Sequence, residues 1–432
     1  MLGGANTETR LDDPDHLQLL FAPIASEQHI GLAVSGGVDS LALLLLVSRW
    51  CALLEKPPEV VVFSVDHGLR EAAKEETKFV ASVATELGFE AHILAGQIEN
   101  PGSRLQEKAR ALRYALIGQA MDDQGISCLL TAHHCDDQAE TVMMRWSRGS
   151  GLSGLGGMAK VSVRQDMFVF RPLLDVRRHE LEAFIAESGR APVDDPSNRD
   201  AHFERVRWRQ FMPDLADAGL NAEMINLSAK RLRRADSALV EMTEQIYEDQ
   251  FVIDPFGCLF FDLAALMKHP TEIGIRLLGR ALDDAGGKTH IPALVQVEAF
   301  YDHLQSGVFG FKGLTLGGCG IKVKDGMVQM YREVGRISDG KIEIAPGQSQ
   351  RWDNRFQIIV AQDMSSPVCV SPAIGITRNV LDKMMPNLSH VPMQAVHSAP
   401  MIVAQDQILA IGEHVLDEGV DVFRTFGPNA LI

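Results

Sequence analysis

The stretch that decides the fold runs from Ile30 to Val47. The apolar segment Ile30-Gly31-Leu32-Ala33-Val34 leads into the turn Ser35-Gly36-Gly37-Val38-Asp39-Ser40, and the leucine-rich segment Leu41 to Val47 follows at once. Apolar runs of these lengths predict a strand and then a helix. Glycines let the backbone of a turn approach a ligand closely, and the start of a helix attracts anions. The stretch therefore predicts a phosphate-binding turn between a strand and a helix.

The polar side chains of this turn suit a phosphate ligand. Ser35 and Ser40 supply hydroxyl donors without charge, and Asp39 can hold a Mg²⁺ ion that neutralises phosphate oxygens. The turn lacks the lysine of a Walker A loop and the G-x-G-x-x-G spacing of dinucleotide-binding folds. The alternative is a glycine turn that only joins the strand to the helix. We predict that the phosphate ligand contacts the whole turn, which consists of Ser35, Gly36, Gly37, Val38, Asp39 and Ser40.

Length and composition indicate a globular protein of several domains. The chain has 432 residues, of which 46% are hydrophobic, and this is enough for two or three domains. No apolar run reaches the roughly 18 residues of a membrane span, and the N-terminal segment carries acidic residues where a signal peptide carries basic ones. These observations predict a cytoplasmic protein without a membrane partner. The six cysteines contain no C-x-x-C pair, which disfavours metal and disulfide roles.

The charge is acidic overall but unevenly distributed. The formal net charge of −16 argues against non-specific binding to nucleic acid, which depends on many basic side chains. Basic residues are nevertheless concentrated from Arg145 to Arg178, and Arg205, Arg207 and Arg209 form a second group. A solvated charged face is one interpretation of these groups. The other is a localised RNA-binding strip on an acidic protein.

The first half of the chain has the pattern of a parallel, doubly wound α/β sheet, because apolar strand-like runs alternate with helical segments. Polar residues follow three of these strands, namely the turn at Ser35, Asp66-His67 and His133-His134. Ligands of such sheets bind beyond the C-terminal ends of the strands, so these three segments predict one site. The predicted strands are Ile30 to Val34, Val60 to Val65, Ala91 to Leu94 and Cys128 to Ala132, and the predicted helices lie near 40–54, 71–87, 103–122 and 136–147.

Changes in composition predict three domains. Residues 1–212 form the α/β domain, residues 213–308 a helical domain and residues 309–432 a small α+β domain. The middle domain begins with a long helical stretch from Ala222 to about Phe251, and a hairpin through Asp254-Pro255-Phe256-Gly257 follows. Beyond residue 310, glycine and β-favouring residues increase. No internal repeat is found.

The segment Thr131-Ala132-His133-His134-Cys135-Asp136-Asp137-Gln138-Ala139-Glu140-Thr141 is dense in reactive side chains. Its spacing places His133, Asp137 and Glu140 near one face as a helix begins. Acidic residues at a helix start can also be caps, and Asp136 fits that role best. His133 precedes the predicted cap, at the end of a strand, where a ligand is expected.

Three further segments carry basic residues. On one predicted helix, Arg110 and Arg113 lie on neighbouring turns with Glu107 and Tyr114, although i,i+3 salt bridges would explain this equally well. The glycine-rich segment 148–158 carries Arg148 and is predicted to be a flexible loop that closes over phosphate or nucleic acid. The cluster Arg205-Val206-Arg207-Trp208-Arg209 can hold phosphates or stack on a base.

Six motifs together resemble one family, the tRNA(Ile)-lysidine synthases. The family carries S-G-G-x-D-S, V-D-H-G-L-R, E-x-A-R-x-x-R-Y, T-A-H-H-x-D-D-Q-x-E-T, R-G-S-G-x-x-G-L and D-P-S-N in this order. The chain has all six over about residues 28–210, at Ser35–Ser40, Val65–Arg70, Glu107–Tyr114, Thr131–Thr141, Arg148–Leu155 and Asp195–Asn198. The resemblance implies a Rossmann-like PP-loop ATP pyrophosphatase domain. Longer members of the family also append a helical domain and a terminal domain, both implied to bind tRNA.

The resemblance implies a ligase that forms a carbon–nitrogen bond. Members of the family convert the wobble cytidine of a CAU anticodon in tRNA(Ile) to lysidine, with ATP and L-lysine as the other substrates and Mg²⁺ as the metal. The C2 oxygen of the cytidine attacks the α-phosphate, and the ε-amine of lysine then displaces AMP from C2. The sequence leaves a homodimer open.

The resemblance also implies roles for individual residues. Ser35 to Ser40 bind the ATP phosphates, Asp39 reaches Mg²⁺, and Asp66 and His67 lie near the nucleotide. His133 approaches the α-phosphate or the adenylate. The implied substrate-binding residues are Asp137 and Glu140 for lysine, Arg113 for a carboxylate or a phosphate, and Arg148 and Arg205 for phosphate or anticodon; Asp39, His133, Asp137 and Arg113 form the implied catalytic set.

Two other functions are compatible with the fold. A PP-loop 2-thiocytidine synthase activates the same carbonyl but delivers sulfur, and its relatives use paired cysteines that this chain lacks. A non-catalytic module that binds nucleotide or RNA belongs to a different class, since a fold does not fix a function. Release of pyrophosphate on addition of tRNA separates an enzyme from such a module.

Overall fold

The computed structural model describes residues 10–68, 72–98, 105–164, 167–194, 200, 202–287, 292–307, 313–337 and 339–425. The predicted motif residues Leu69, Arg70 and Asp195 to Asn198 lie outside these ranges. The chain forms two compact units, one up to Asp236 and one from Ser237 onward. Among the described residues, no helix is both long and apolar enough to span a membrane. All six cysteines are free thiols.

The first unit contains a six-stranded sheet, whose order is β3-β2-β1-β4-β6-β5. Its first five members in that order pair in parallel, and β5 pairs with β6 in antiparallel fashion at the edge. Strand order reverses between β1 and β4, which is the switch point where doubly wound sheets bind ligands. The prediction of a doubly wound parallel sheet is confirmed. The strands are β1 His29–Ala33, β2 Glu59–Asp66, β3 Glu90–Ala95, β4 Cys128–Leu130, β5 Val161–Arg164 and β6 Met167–Phe170.

Helices cover both faces of this sheet. One core packs the alternate strand residues Ile30, Leu32 and Val62 against α1, α2, α3 and α7, and the core on the other face packs Phe63 and Leu129 against α4. The leucine-rich run of α2 is buried almost all round, which explains why it has no polar face. The helices are α1 Pro14–Phe21, α2 Val38–Cys51, α3 Ala72–Glu86, α4 Leu105–Asp122, α5 Cys135–Trp146, α6 Leu152–Leu155, α7 Arg178–Ser188, α8 Glu204–Asp217 and α9 Ala222–Gln250.

In the second unit the predicted hairpin around Asp254 is confirmed. Strands β7 Val252–Ile253 and β8 Leu259–Asp262 pair in antiparallel fashion, and β8 then pairs with β11. The resulting sheet has the order β7-β8-β11-β10-β9 and takes strands from both sides of residue 308. The three-domain division stays a prediction. The other strands of this sheet are β9 Leu314–Leu316, β10 Cys319–Lys324 and β11 Met327–Arg332. The helices of this part of the chain are α10 Leu263–Leu266, α11 Thr271–Ala285 and α12 Leu294–Ser306.

The remaining strands form two further antiparallel sheets, of order β12-β15-β16-β17-β18 and β13-β14-β19. They pack on one apolar core that includes Trp352, Phe356 and Val370. The elements are β12 Ile342–Ile344, β13 Ser349–Trp352, β14 Phe356–Val360, β15 Val368–Pro372, α13 Arg378–Met384, α14 Met393–His397, β16 Pro400–Ala404, β17 Gln407–Ile411, β18 His414–Val415 and β19 Val420–Arg424.

The turn between β7 and β8 contains a buried carboxylate. Asp254 Oδ1 accepts hydrogen bonds from the backbone N–H of Phe256 at 2.9 Å and of Cys258 at 2.8 Å. Its Oδ2 is buried, and nothing in the part of the chain that the structure describes forms a hydrogen bond with it. Burial raises the pKa of Asp254 to about 7, although the two backbone donors and Arg424 oppose the rise. Folding therefore favours the protonated form of this side chain.

We expect Asp254→Asn to stabilise the protein more at pH 8 than at pH 5. The unfolded chain releases the proton of Asp254 near pH 4 and the folded chain near pH 7, so the wild-type protein loses stability as pH rises through this interval. The amide does not titrate and keeps the acceptor oxygen of the turn. Thermal melts should show the variant gaining several degrees over wild type between pH 5 and pH 8.

The matched control is Asp325→Asn, the same chemical change in an exposed turn with a positive φ that asparagine tolerates. Its difference from wild type should stay constant across that pH range. A constant difference for Asp254→Asn as well would contradict the prediction.

Candidate active site

The turn after β1 is organised by its own serines. Ser40 Oγ accepts a hydrogen bond from the N–H of Ser35 at 3.2 Å and donates one to the carbonyl of Gly37 at 3.1 Å. Gly37 is the N-cap of α2, and no side chain of the described residues caps this helix start. The backbone donors of the first turn therefore face the adjoining cavity without a side-chain acceptor, as an anion-binding helix start requires.

Gly36 has a structural reason to be glycine. Its φ is +87°, and a Cβ at this position would lie 3.0 Å from Val193 Cγ2. The N–H of Val193 donates to the carbonyl of Gly36 at 2.9 Å. The segment that follows α7 thus packs closely against the turn, and Val193 also lines the adjoining cavity.

A cavity of about 670 Å³ opens beside this turn. Its lining joins the turn to α4, the end of β4, the start of α5 and the first turns of α8. Of the residues predicted for the site, those that line it are Ser35, Gly37, Val38, Asp39, Ser40, Arg113, His133, Asp137 and Arg205. Among the described residues, the lining omits Gly36, Asp66, His67, Glu140 and Arg148.

The cap of α5 differs from the prediction. His134, not Asp136, is the N-cap: its Nδ1 accepts from the N–H of Asp137 at 3.3 Å, and Asp137 Oδ2 accepts from the N–H of His134 at 3.2 Å. Asp136 lies within the first turn and instead accepts hydrogen bonds from the Arg177 guanidinium at 3.1 and 3.2 Å. The capping prediction was wrong because a histidine with a free Nδ1 lone pair can serve as the acceptor.

His134 is buried between two carboxylates. Its side chain is 1% exposed, and Nε2 lies 3.6 Å from Asp39 Oδ2 and 3.4 Å from Asp137 Oδ2. Burial by itself lowers the pKa of His134, but the charge of Asp137 and the contact with Asp39 raise the pKa above its ordinary value. The imidazole thus joins the phosphate turn to the start of α5 electrostatically.

Asp39 retains one oxygen for a ligand. Its Oδ1 is buried and has no hydrogen-bond partner among the described residues. No group of three or more His, Cys, Asp or Glu side chains among the described residues is placed to hold a metal. Mg²⁺ usually takes only one or two carboxylates and completes its shell with water and substrate phosphates. The orphaned oxygen beside a phosphate turn therefore fits such an ion.

His133 follows β4 and is held by two neighbours. Its Nδ1 lies 2.9 Å from Thr131 Oγ1, and its Nε2 lies 3.4 Å from the Arg110 guanidinium. Burial lowers the pKa of His133 to about 3, with Asp137 opposing the shift and nearby arginines adding to it. The imidazole is therefore neutral at neutral pH. Because a guanidinium only donates, Nε2 is the acceptor and Nδ1 carries the proton.

Arg113 is the second arginine of α4 that contacts a histidine. A terminal nitrogen of its guanidinium lies 3.2 Å from His67 Nε2. Burial lowers the pKa of His67, Arg113 adds to the shift, and Asp66 opposes it. Asp66 itself is buried and accepts from the N–H of Gly68 at 2.8 Å. Asp66 and His67 therefore lie outside the cavity lining, and His67 supports Arg113 through this contact.

Asp137 and Glu140 both meet arginines of α8. Glu140 is buried, and its two oxygens each accept a hydrogen bond of 2.8 Å, from Arg205 Nε and from Arg209 Nε. Asp137 Oδ1 lies 3.4 Å from Arg205. Burial alone raises the pKa of Asp137, but His134 and Arg205 hold it well below its usual range. Asp137 is thus a carboxylate at neutral pH, and it lines the cavity.

The role of Arg209 was not foreseen from the sequence. Arg209 was grouped with Arg205 as part of a basic cluster, but their spacing of four residues on α8 is the signal that both face the same side. Both line the cavity, and both are paired with Glu140.

The glycine-rich segment is held rather than open. The Gln138 amide bonds both the carbonyl and the N–H of Met158, at 2.8 and 2.6 Å, and Arg145 donates to the carbonyls of Gly154 and Gly157 at 2.9 Å. The expectation of a flexible loop is therefore corrected. Arg148 pairs with Glu204 at the start of α8, with 61% of its side chain exposed. It lies outside the cavity.

Comparison with known protein families agrees with this geometry. A family profile described as a PP-loop domain matches residues 11–215, which contain the turn and every residue that lines the cavity. A PP-loop domain binds ATP.

Related proteins share most of the chain. This chain is 38% identical over 320 residues to the tRNA(Ile)-lysidine synthase of Bradyrhizobium sp. strain BTAi1. The aligned region covers 70% of this chain and 88% of that protein. The tRNA(Ile)-lysidine synthase of Anaplasma marginale is 32% identical over 401 residues, covering 88% and 84%, and that of Wolbachia pipientis wMel is 31% identical over 365 residues, covering 82% and 84%. At this identity and coverage, the chain belongs to the tRNA(Ile)-lysidine synthase family.

Proposed function

We propose that this protein ligates lysine to C2 of the wobble cytidine, position 34, in tRNA(Ile) with a CAU anticodon, at the expense of ATP. The observation that carries the proposal is that one cavity of this chain contains both a phosphate turn and the carboxylate of Asp137. The chain is also a member of the tRNA(Ile)-lysidine synthase family. Such a cavity suits both an anionic nucleotide and a cationic amino acid.

The chemistry needs two displacements. The C2 oxygen of the cytidine attacks the α-phosphate of ATP, the bond to the β-phosphate breaks, and pyrophosphate leaves. The ε-amine of lysine then attacks C2, and the C2–O bond breaks so that the oxygen departs with AMP. A free lysine amine has a pKa of about 10.4, so at neutral pH it must lose one proton to expose the lone pair that attacks C2. The nitrogen loses a second proton after it has bonded to C2. The adenylate supplies the leaving group that a carbonyl oxygen lacks.

The phosphate end of the cavity consists of the turn and Arg113. Ser35 to Ser40 would surround the triphosphate with backbone and hydroxyl donors, and the Arg113 guanidinium would neutralise part of its charge. Asp39 would hold a Mg²⁺ ion, which when bound neutralises charge on the phosphate oxygens. Asp66 and His67 would support the nucleotide side of the cavity through Arg113.

The lysine end centres on Asp137. Its carboxylate lines the cavity and is ionised, so it can bind the lysine ammonium and orient the amine after proton loss. Glu140 stays a predicted lysine ligand, and in this conformation both of its oxygens are bonded to arginines. His133 also lines the cavity, and its neutral ring would contact the α-phosphate or the adenylate.

Recognition of tRNA involves residues outside the phosphate turn. Arg205 at the cavity and the exposed Arg148 are our proposed contacts to phosphate or anticodon. Recognition of tRNA by the helical and C-terminal domains stays a prediction, as do a homodimer and a cytoplasmic location.

The first experiment tests the reaction itself. We expect purified protein with Mg²⁺, ATP and labelled lysine to label unmodified tRNA(Ile) at C34, and to release one pyrophosphate for each lysine incorporated. The same tRNA with C34 replaced by U is the control and should stay unlabelled. Pyrophosphate release without label would indicate another nucleophile such as sulfur, and ATP binding without pyrophosphate would indicate a binding module.

We expect Asp137→Asn to reduce kcat/KM for lysine by about 100-fold, since a charge-assisted contact of this kind contributes on the order of 2–3 kcal/mol. Asparagine keeps an acceptor for the N–H of His134, so the cap of α5 is retained. KM for ATP should change little in comparison. Steady-state kinetics with each substrate varied would check both values.

Asp217→Asn, on the exposed side of α8, is the matched control and should behave as wild type. A wild-type KM for lysine in the Asp137 variant would refute the assignment.

We expect His133→Gln to lower kcat. If the rate of the wild-type enzyme falls as pH is lowered from 7 to 5, the rate of the variant should fall in the same way. The reason is that the pKa of His133 lies at about 3, so this imidazole does not change charge in that range. Profiles of kcat/KM against pH for wild type and variant would be compared. Loss of an acid limb in the variant would show that His133 titrates during turnover.

A further inference from the structure

We infer that Arg110, together with Arg113, forms a two-arginine clamp for the triphosphate of ATP. This inference rests on the proposed function, because ATP must be the nucleotide substrate. It adds Arg110 to the residues that touch substrate, although its motif position alone is equally explained by salt bridges within α4.

The two side chains lie on one face of α4, three residues apart, and reach different strand ends. Arg113 contacts His67, which follows β2, and Arg110 contacts His133, which lies beyond β4. In the sheet, β1 lies between β2 and β4 and leads directly into the phosphate turn. The contacts of the two guanidiniums therefore lie on either side of the strand that carries this turn.

The charges of these two arginines are not compensated within the described part of the chain. Five arginines line the cavity. Arg178 pairs with Glu182 at 3.0 Å, and Arg205 and Arg209 both pair with Glu140 at 2.8 Å. Among the described residues, Arg110 and Arg113 have no carboxylate within ion-pair distance, and both line the cavity. Their two positive charges are thus available to a polyanion.

The contacts that hold the guanidiniums are neutral. A histidine nitrogen accepts from an arginine only in its uncharged form, and burial lowers the pKa of both His67 and His133. Arg110 is further positioned by Tyr114, whose hydroxyl lies 3.4 Å from one of its nitrogens and whose ring centre lies 5.3 Å from Cζ. The side chains are therefore ordered in advance without loss of charge, which favours binding of an anion.

The position of the clamp favours the nucleotide over the tRNA backbone. The described lining of the cavity includes both arginines and the residues Gly37 to Ser40, so a single triphosphate can contact all of them. We expect Arg110 to bind phosphate oxygens near the bond that breaks, where its charge would stabilise the departing pyrophosphate.

The test measures binding without tRNA or lysine. Isothermal titration of pyrophosphate and of α,β-methylene-ATP, both with Mg²⁺, would be compared for wild type, Arg110→Met and Arg110→Lys. We expect Arg110→Met to weaken both by about 10- to 100-fold, and Arg110→Lys to weaken them less, because it keeps the charge but loses the planar fork. In a separate steady-state assay with tRNA and saturating ATP, KM for lysine should stay within about twofold of wild type in both variants.

Arg164→Met is the matched control, because Arg164 stacks on the same Tyr114 ring at 4.2 Å but does not line the cavity. It should change the affinity for pyrophosphate by less than about twofold. Thermal melts of all variants would detect a general loss of structure, and in that case the folded Arg110→Lys protein decides the result.

Wild-type affinity for pyrophosphate in a folded Arg110 variant would overturn the inference. If titration of the same variant with tRNA then showed weakened binding, the arginine would be reassigned to a backbone phosphate. The proposed function fails separately: wild-type protein that binds pyrophosphate but never labels tRNA(Ile) would refute lysidine formation and leave the clamp intact.

Discussion

The buried contact of His134 with Asp39 and Asp137 sets the geometry of the cavity. These groups lie at the starts of α2 and α5, two helices that follow neighbouring strands of the sheet. Because Nδ1 of the ring accepts a backbone N–H, its proton lies on Nε2, which is 3.6 Å from Asp39 and 3.4 Å from Asp137. This N–H lies between two carboxylates that would otherwise repel each other in a desolvated site. The same ring caps α5 through its other nitrogen. One side chain therefore fixes both a helix start and the spacing between the proposed metal and lysine ligands.

One side of the cavity is positively charged and the other side carries a carboxylate. The two small substrates of the proposed reaction have the opposite charges, because ATP is an anion and the side chain of lysine is a cation. Arg110 and Arg113 lie on the side of α4, whereas Asp137 belongs to α5. Asp137 and Glu140 share the two arginines of α8, so two carboxylates balance two guanidiniums there. This side of the cavity therefore adds no excess positive charge against an incoming ammonium. The arrangement separates an anion-binding side from a cation-binding side within one solvent-accessible space.

Much of the first unit followed from local sequence, because its signals lie within single elements. The turn at Ser35, the parallel strands and the convergence of Arg113, His133 and Asp137 follow from apolar periodicity and from the rule for ligand sites in doubly wound sheets. The sequence does not predict the hairpin of β5 and β6, because V-S-V-R is half polar and follows a glycine-rich segment that is typical of a loop.

What the sequence could not provide were contacts between distant segments. The pairing of Glu140 with Arg209 joins two helices far apart in the chain, and no local pattern indicates it. The same holds for strands β8 and β11, and for β14 and β19, whose pairing depends on the packing of a shared core. The histidine cap of α5 was missed for a different reason, since the usual cap residues stood next to it.

The contact between Gly36 and Val193 has a consequence for biosynthesis. The phosphate turn is supported at Gly36 by a residue that is translated only after α7. When β1 and α2 have left the ribosome, the nascent chain still lacks the residue that supports Gly36. The contact between Gly36 and Val193 forms later, because it joins residues that are far apart in the sequence. Nucleotide binding is therefore expected to arise late during synthesis, when nearly the whole first unit has left the ribosome.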